Sequence, residues 1–149
     1  MLQTENRNVT LPPPVKISAV VKDVDKTIEF LSSLGLGPWQ AFQYSPRDDE
    51  VMIGEPFSLK CSSTNLGPIV LELNQPLEER SFWARLLEAK GEGQFIVAFN
   101  VSNYDEIVAK LREQGNKVVV EALFEGKRWC YLDTKPGGII FELLDNFDL

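Results

Sequence analysis

Residues 16–35 read KISAVVKDVDKTIEFLSSLG, and residues 96–115 read IVAFNVSNYDEIVAKLREQG. The two stretches align without a gap, and the aligned pairs include Ile17 with Val97, Asp25 with Asp105, and Gly35 with Gly115. Self-similarity of this kind indicates a structural unit that occurs twice in the chain.

Each copy has the same physical pattern. A short apolar run rich in β-branched residues predicts a strand, and a polar turn follows whose Asp or Ser-type side chains can accept the free N–H groups of a helix start. The next residues predict an amphipathic helix, with Ile28, Leu31 and Leu34 on one face in the first copy and Ile107, Val108 and Leu111 in the second. Gly35 and Gly115 follow these helices, where a left-handed C-terminal cap is needed.

A second pair of matching segments closes each copy. Residues 67–73, GPIVLEL, match residues 137–143, GGIIFEL, and each is an apolar strand with one glutamate at the same place. Between helix and closing strand each copy holds two more predicted strands: Trp39–Tyr44 and Phe57–Ser62 in the first, Lys117–Leu123 and Arg128–Leu132 in the second. Each half is therefore predicted to be β-α-β-β-β.

This pattern divides the chain into four parts. Residues 1–14 predict a flexible N-terminal arm, residues 15–75 the first module, residues 76–93 a helical linker and residues 94–149 the second module. Within the linker, Ser81–Lys90 predicts a helix with Ser81 as its N-cap.

Composition limits the functions that the chain can have. The 149 residues carry a net charge of -7, which argues against nucleic acid as a partner because phosphate binding needs a basic surface. No apolar run is long enough to span a membrane and no signal peptide is evident, so we expect a cytoplasmic protein in which Cys61 and Cys130 are free thiols. The sequence has no histidine, which excludes a Ser-His-Asp triad, a Cys-His pair and histidine metal ligands from this chain.

The duplicated module resembles the vicinal-oxygen-chelate superfamily, which includes glyoxalase I, methylmalonyl-CoA epimerase, bleomycin-resistance proteins and extradiol dioxygenases. The stretches most similar to the epimerase branch are VVKDVDKTIEFLSSLGLGPW (20–39), VLELNQPLE (70–78) and YLDTKPGGIIFELLD (131–145). The resemblance covers roughly residues 15–146. It implies an α+β fold in which two tandem βαβββ modules form a curved mixed sheet around a central cup.

In that superfamily four metal ligands project into the cup from the first and last strand of each module. Carried over by position, they fall on Lys16, Glu72, Ile96 and Glu142, and the internal repeat pairs Lys16 with Ile96 and Glu72 with Glu142. The superfamily usually has histidine where this sequence has lysine and isoleucine. Since isoleucine cannot bind a metal and an ammonium repels one, we expect no metal and no other cofactor.

Strand alternation predicts which other side chains share the cup. Lys16, Glu72 and Glu142 are the candidate catalytic residues, with Lys16 in the charge role of the lost metal. The candidate ligand-binding residues are Ser18, Ile96, Ala98, Asn100, Arg128 and Tyr131. The epimerase resemblance adds Glu50 as a candidate base, against a solvated loop at Asp48–Glu50.

Several functions fit this pattern. One is a lyase or epimerase-like enzyme that acts alpha to a carbonyl of a small acid or thioester. Another is a non-catalytic small-molecule binder of the bleomycin-resistance type, whose relatives often form pockets between two chains, so that a homodimer is an alternative to a monomer. A metal-independent isomerase or lyase, and a purely structural ion triad, remain open. The expected partner is a small-molecule ligand or substrate.

Overall fold

The computed structural model describes residues 10–149, which form nine strands and three α-helices. In chain order these are β1 (Lys16–Val20), α1 (Val24–Ser33), β2 (Gln40–Tyr44), β3 (Val51–Ile53), β4 (Leu59–Leu66), β5 (Ile69–Pro76), α2 (Phe82–Lys90), β6 (Phe95–Val101), α3 (Tyr104–Glu113), β7 (Lys117–Phe124), β8 (Lys127–Asp133) and β9 (Ile140–Asp145). A single 3-10 turn, Asp48–Glu50, precedes β3. Of the helices in this part of the chain, none has the length and apolar character that a bilayer crossing requires.

The nine strands form one sheet in the order β2-β4-β5-β1-β6-β9-β8-β7-β3. β1 runs parallel to β5 and β6 runs parallel to β9, whereas the other neighbours are antiparallel. Four strands of each module therefore occupy equivalent places, and the modules meet along β1 and β6. This confirms the predicted α+β class, with two tandem βαβββ modules in a curved mixed sheet around a cup.

The central register brings the two modules' equivalent positions together. On β1 and β6, Lys16 lies opposite Ala98 and Ser18 lies opposite Ile96. On the flanking strands, Glu72 pairs with Ser18 and Glu142 pairs with Ala98. Because alternate side chains point to the same face of a sheet, these residues share the concave face, which we call the cup.

The two copies of the repeat end their helices in the same way. Gly35 and Gly115 have φ of +91° and +90°, a left-handed conformation that favours glycine. The next residue then donates back to the last helical turn, from Leu36 N to Leu31 O at 3.1 Å and from Asn116 N to Leu111 O at 3.0 Å. The helix starts differ, because Asp23 caps α1 by accepting from Lys26 N, whereas Asn103 caps nothing with its side chain.

One predicted helix face is corrected by the structure. Ile28 and Leu31 pack on the convex face of the sheet, but Leu34 is 64% exposed. Leu34 is the C-cap of α1 and lies beyond its last regular turn, so the helical spacing that placed it on the apolar face no longer applies. In α3, Ile107 and Leu111 are buried as expected.

Strand β3 is a feature that the repeat did not predict. It follows the acidic 3-10 turn, crosses to the far edge of the sheet and pairs with β7 of the second module.

Near the start of the described chain, Leu11 packs against the buried cluster that includes residues of α3. The rest of the predicted N-terminal arm, residues 1–9, lies outside the described residues.

The cup is partly filled by a hydrophobic core. Helix α2 begins at Phe82 with Ser81 as N-cap, as the sequence predicts, and it places Trp83 against the concave face at 1% exposure. Phe57, from the segment before β4, packs on Trp83 with ring centroids 4.6 Å apart. These rings cover Val20 and Ile96, so only the remainder of the cup is open.

Candidate functional site

The open part of the cup is a cavity of about 770 Å³. Strands β2, β4 and β5 and the side chain of Lys16 form one side, and β8, β9 and the C-terminal segment form the other. Its volume lies within the range of ordinary small-molecule sites. The lining includes seven aromatic side chains: Phe42, Tyr44, Trp83, Phe124, Trp129, Tyr131 and Phe147.

An ion triad lies in the wall of this cavity. Lys16 Nζ is 3.2 Å from Glu72 Oε2 and 3.2 Å from Glu142 Oε1. The side chains are largely withdrawn from solvent, with 18% exposure for Lys16, 16% for Glu72 and 6% for Glu142. Ser18 Oγ also lies 3.3 Å from Glu72 Oε2 and donates to it. The three candidate catalytic residues are thus brought together from β1, β5 and β9.

Burial and charge act on the triad in opposite directions. Burial alone lowers the pKa of Lys16, but the carboxylates of Glu142 and Glu72 raise it, and the net pKa is above the ordinary lysine value. Burial raises the pKa of Glu142, the Lys16 ammonium lowers it and the Glu72 carboxylate raises it again, leaving it above the ordinary glutamate value. Lys16 is therefore a fixed cation, while Glu142 takes up a proton more readily than an ordinary glutamate.

The Glu142 carboxylate is incompletely bonded. The Lys16 ammonium donates a hydrogen bond to Glu72, and its contact with Glu142 Oε1 has the distance of an ion pair without the direction of a hydrogen bond. Within residues 10–149, no hydrogen bond reaches the buried Glu142 Oε1 or the buried Asn74 Oδ1. Both residues line the cavity. Both oxygens are almost completely withdrawn from solvent, where an acceptor usually has a hydrogen-bond donor.

The polar tips of the aromatic wall are bonded to one another. Trp129 Nε1 donates to Tyr44 Oη at 2.9 Å, and Tyr44 Oη donates to the Leu123 carbonyl at 2.5 Å. Trp83 Nε1 donates to Tyr131 Oη at 3.3 Å. Burial raises the pKa of Tyr44 to about 12, so its phenol stays neutral at physiological pH. The wall therefore presents mainly ring faces and edges to the cavity.

The candidate ligand-binding residues are placed in several different ways. Tyr131 lines the cavity directly opposite Glu142 on the neighbouring strand. Ser18 is fully buried behind Glu72, and Ile96 and Ala98 are fully buried in the floor of the cup. None of these last three is among the cavity-lining residues in the described part of the chain.

Asn100 does not line the cavity but bonds the C-terminal segment at Phe147. Its amide donates to the Phe147 carbonyl at 2.9 Å and accepts from the Phe147 N–H at 2.8 Å. These two bonds fix Phe147 beside Phe124, with the rings stacked at 6.2 Å, so that Phe147 forms part of the cavity wall. Asn100 thus lies behind a wall residue that the sequence did not suggest.

Arg128 lies on the convex face of the sheet. Its guanidinium bonds Asp105 at 2.8 Å and Asp145 at 3.0 Å, and it lies 4.6 Å from the Tyr104 ring centroid. It therefore ties the start of α3 to the end of β9 and does not reach the cavity. The alternation along β8 gives the reason, since Trp129 and Tyr131 point into the cup and Arg128 points away.

Glu50 also lies away from the cavity lining. Its carboxylate accepts from Arg47 N at 2.9 Å and closes the 3-10 turn before β3.

Both cysteines are free thiols. Cys61 lines the cavity and is buried, and burial raises the pKa of its thiol.

The sequence reasoning missed Trp83, Tyr44 and Phe147 as cavity residues. Strand alternation does place Asn74 in the cup, because it lies two positions after Glu72 on the same strand and shares its face. Trp83 and Phe147 come from the linker and the last residues, which the internal repeat does not include, so no periodic signal placed them in the cup.

The residues at the superfamily's metal positions do not fit a divalent metal ion. Ile96 is fully buried in the hydrophobic core, and the ammonium of Lys16 lies between the two carboxylates. In the described part of the chain, no three His, Cys, Asp or Glu side chains are close enough to share an ion. Two carboxylates beside a fixed ammonium are a poor donor set for a transition metal.

The sequence profile of the Glyoxalase/Bleomycin resistance protein/Dioxygenase superfamily matches residues 16–131, which is most of the chain. This chain belongs to that superfamily. Among curated proteins, no sequence is similar enough to match it.

Several solved structures share the fold. The methylmalonyl-CoA epimerase of Mycobacterium tuberculosis is 25% identical, with a TM-score of 0.67 over 99% of this chain and 94% of its own. The Streptomyces coelicolor methylmalonyl-CoA epimerase bound to 2-nitronate-propionyl-CoA is 24% identical, with a TM-score of 0.67 over 92% of this chain and 96% of its own. A hypothetical protein from Bacillus halodurans is 19% identical, with the same TM-score over 91% and 95% of the two chains.

Proposed function

We propose that this superfamily member binds a small organic molecule in its cup, at the triad of Lys16, Glu72 and Glu142, without a divalent metal. The observation that carries the proposal is the ion triad in the wall of a cavity of about 770 Å³, where one ammonium faces two carboxylates. Glu142 Oε1 keeps its ion-pair contact with Lys16 at 3.2 Å but accepts no hydrogen bond from residues 10–149, so this carboxylate has acceptor capacity left for a ligand.

The aromatic wall supports binding. Seven rings around the cavity offer a large apolar contact area, which is typical of small-molecule sites with a few polar groups that fix orientation. The triad supplies these polar groups, since Lys16 holds the two carboxylates in place and leaves acceptor positions on Glu142.

A screen of small molecules against the purified protein tests this proposal. Ser63 lines the cavity on β4, so Ser63→Trp fills it, whereas Gln43→Trp puts the same ring on the exposed opposite face of β2. Compounds detected by ligand-observed NMR should bind the wild type and Gln43→Trp and lose binding to Ser63→Trp. Equal binding to all three proteins contradicts the proposal.

The second candidate function is acid–base catalysis alpha to a carbonyl, as in a lyase or an epimerase. The specific observation in its favour is that the pKa of Glu142 is raised beside a fixed ammonium, which suits a group that takes up and releases a proton. In this candidate Lys16 polarises the carbonyl oxygen while Glu142 moves the alpha proton. The solved relatives named methylmalonyl-CoA epimerase suggest the first substrate to assay.

Deuterium exchange separates catalysis from binding alone. Methylmalonyl-CoA incubated with the protein in heavy water loses its alpha-proton NMR signal faster than the buffer control if Glu142 moves that proton. Glu142→Gln should then remove the acceleration. If the alpha proton exchanges at the buffer rate in the presence of the wild type, the protein does not catalyse proton transfer on this substrate.

A further inference from the structure

Two buried oxygens beside the cavity are acceptors without a hydrogen bond from the described residues. The wall already uses three of its donors. Trp83 donates to Tyr131, Trp129 donates to Tyr44, and Tyr44 donates to the Leu123 carbonyl. The buried Glu142 Oε1 and Asn74 Oδ1, in contrast, receive no hydrogen bond from residues 10–149. The hydroxyl of Tyr131 accepts from Trp83 and offers a donor of its own. A ligand that brings donors therefore complements the Glu142 carboxylate, and the charge of the lining decides whether a cation or an anion fits better.

The charge of the cavity favours a cation. Its lining holds the carboxylates of Glu72 and Glu142 against the single ammonium of Lys16, and the exposed Asp148, which pairs with Lys127 at 3.7 Å. The Lys16 ammonium is already 3.2 Å from the carboxylates of Glu72 and Glu142. Arg128, a candidate ligand-binding residue, bonds two aspartates on the convex face. An anionic ligand thus finds no free cation in the described lining and meets an excess of negative charge.

The surrounding rings favour a cation for an independent reason. Aromatic faces carry partial negative charge and attract a cation that lies within about 6 Å of the ring centroid. Tyr131 pairs with Glu142 across adjacent strands, and its ring lies 5.0 Å from that of Trp129. The ring faces and the acceptor oxygen of Glu142 thus lie side by side in one wall.

We infer that the ligand of this cup is an aromatic organic cation, an amine or amidine whose N–H groups donate to Glu142 and whose ring packs among the aromatic side chains of the wall. This inference rests on the proposed binding function and narrows it to one chemical class. Acids and acyl thioesters, which carry negative charge and offer mainly acceptors, are the class that the cavity disfavours.

Three indole compounds of similar size test the inference, namely tryptamine, tryptophol and indolepropionate, which end in an ammonium, a hydroxyl and a carboxylate. Their affinities are measured by isothermal titration calorimetry at neutral pH and fixed salt. We expect tryptamine to bind the wild type about 10-fold more tightly than tryptophol, and indolepropionate to bind most weakly.

Variants separate a local charge effect from the charge of the whole protein. Glu142→Gln should lower tryptamine affinity by about 10-fold and change tryptophol affinity by less than about 3-fold. Glu88→Gln removes the same charge from the exposed face of α2 and should leave all three affinities unchanged. Circular dichroism and thermal melts establish that both variants are folded before the affinities are compared.

Each outcome decides one level of the argument. Indolepropionate that binds as tightly as tryptamine overturns the cationic class and leaves the binding function in place. An equal loss of tryptamine affinity in Glu88→Gln also overturns it, because the preference then comes from net charge. If no compound binds the wild type, the aromatic cation class is overturned, and if all bind Ser63→Trp unchanged, the proposed binding function itself fails.

Discussion

Replacing Lys16 with methionine is the most informative single perturbation of this protein. The substitution keeps the length and apolar stem of the side chain and removes its ammonium. In the wild type that ammonium lies 3.2 Å from a carboxylate oxygen of both Glu72 and Glu142. Its removal leaves two carboxylates facing each other, and the Glu142 side chain is only 6% exposed.

The expected destabilisation follows from this geometry. At an effective dielectric constant of about 20, each contact at 3.2 Å contributes roughly 5 kcal/mol of attraction, much of it offset by the desolvation of the ions. Removal of one member of a buried ion pair typically costs about 3–5 kcal/mol. The variant limits this cost by protonating Glu142, which takes about 1.4 kcal/mol for each pH unit above the unfolded pKa of about 4.3. The resulting ceiling is about 4 kcal/mol at pH ~7.5 and about 1 kcal/mol at pH ~5.

The sign of the pH dependence follows from linkage. The pKa of Glu142 is already raised in the folded wild type and rises further when the ammonium is lost. A carboxyl with a raised folded pKa binds more protons in the folded state than in the unfolded state. Stability from this group is therefore fully present below the unfolded pKa and is lost as the pH rises through the folded pKa. Lys16→Met should be close to wild type in acid and strongly destabilised at neutral pH.

Urea denaturation of the variant and its controls, at pH ~5 and ~7.5, measures this effect. Lys60→Met is the matched control, since Lys60 pairs with Asp25 at 2.6 Å but both side chains are well exposed, and we expect a change below about 1 kcal/mol. The double variant Lys16→Met/Glu142→Gln removes the unpaired buried charge and should recover at least half of the loss. A loss for Lys16→Met below about 1 kcal/mol at the higher pH, or a loss that does not depend on pH, refutes the buried triad.

Three further predictions concern the metal, the wall and a buried phenol. Elemental analysis and titration with Co, Ni or Zn should show no stoichiometric tight binding to the wild type. The double variant Lys16→His/Ile96→His adds nitrogen donors beside Glu72 and Glu142 and should gain such binding. Tight metal binding by the wild type contradicts the metal-free expectation. Asn100→Ala should lower the free energy of unfolding by about 1–3 kcal/mol, because two hydrogen bonds to Phe147 are lost. The same variant should speed amide hydrogen exchange of residues 146–148. Unchanged exchange there means that Asn100 does not hold this segment. Burial raises the pKa of Tyr44 to about 12, so the Tyr44→Phe difference in ultraviolet titration should show this phenol still neutral at pH ~10; ionisation near that pH places Tyr44 in solvent.

The occupant of the cup, the assembly state and the reaction, if any, stay predictions. A homodimer is tested by analytical ultracentrifugation of the full chain, and the exposed Phe30 and Leu34 of α1 are the first positions to substitute if one forms.

Much of the fold was determined by local sequence patterns. The repeat of strand, turn, helix and capping glycine predicted two modules, because each signal depends on residues only a few positions apart. The resemblance to the superfamily placed Lys16, Glu72 and Glu142 in the cup, and the internal repeat supported this placement because it pairs Glu72 with Glu142. Leu34 shows the limit of this reasoning, because helical spacing does not reveal where the helix ends.

Other features depended on tertiary packing. Alternation determined that Arg128 and Tyr131 face opposite sides of the sheet, but only the packed structure showed that Arg128 is held by Asp105 and Asp145. Trp83 and Phe147 come from segments outside the repeat, and the crossing of β3 to β7 joins strands distant in sequence.

The sequence by itself therefore determined the two modules, because local period suffices for them, and its resemblance to the superfamily placed lysine and isoleucine at two of the expected metal-ligand positions. Tertiary structure alone decided how much of the cup is open and which of its buried oxygens receive no hydrogen bond. Those properties depend on which distant side chains fill the same volume and donate to the same atoms, and no local pattern records that.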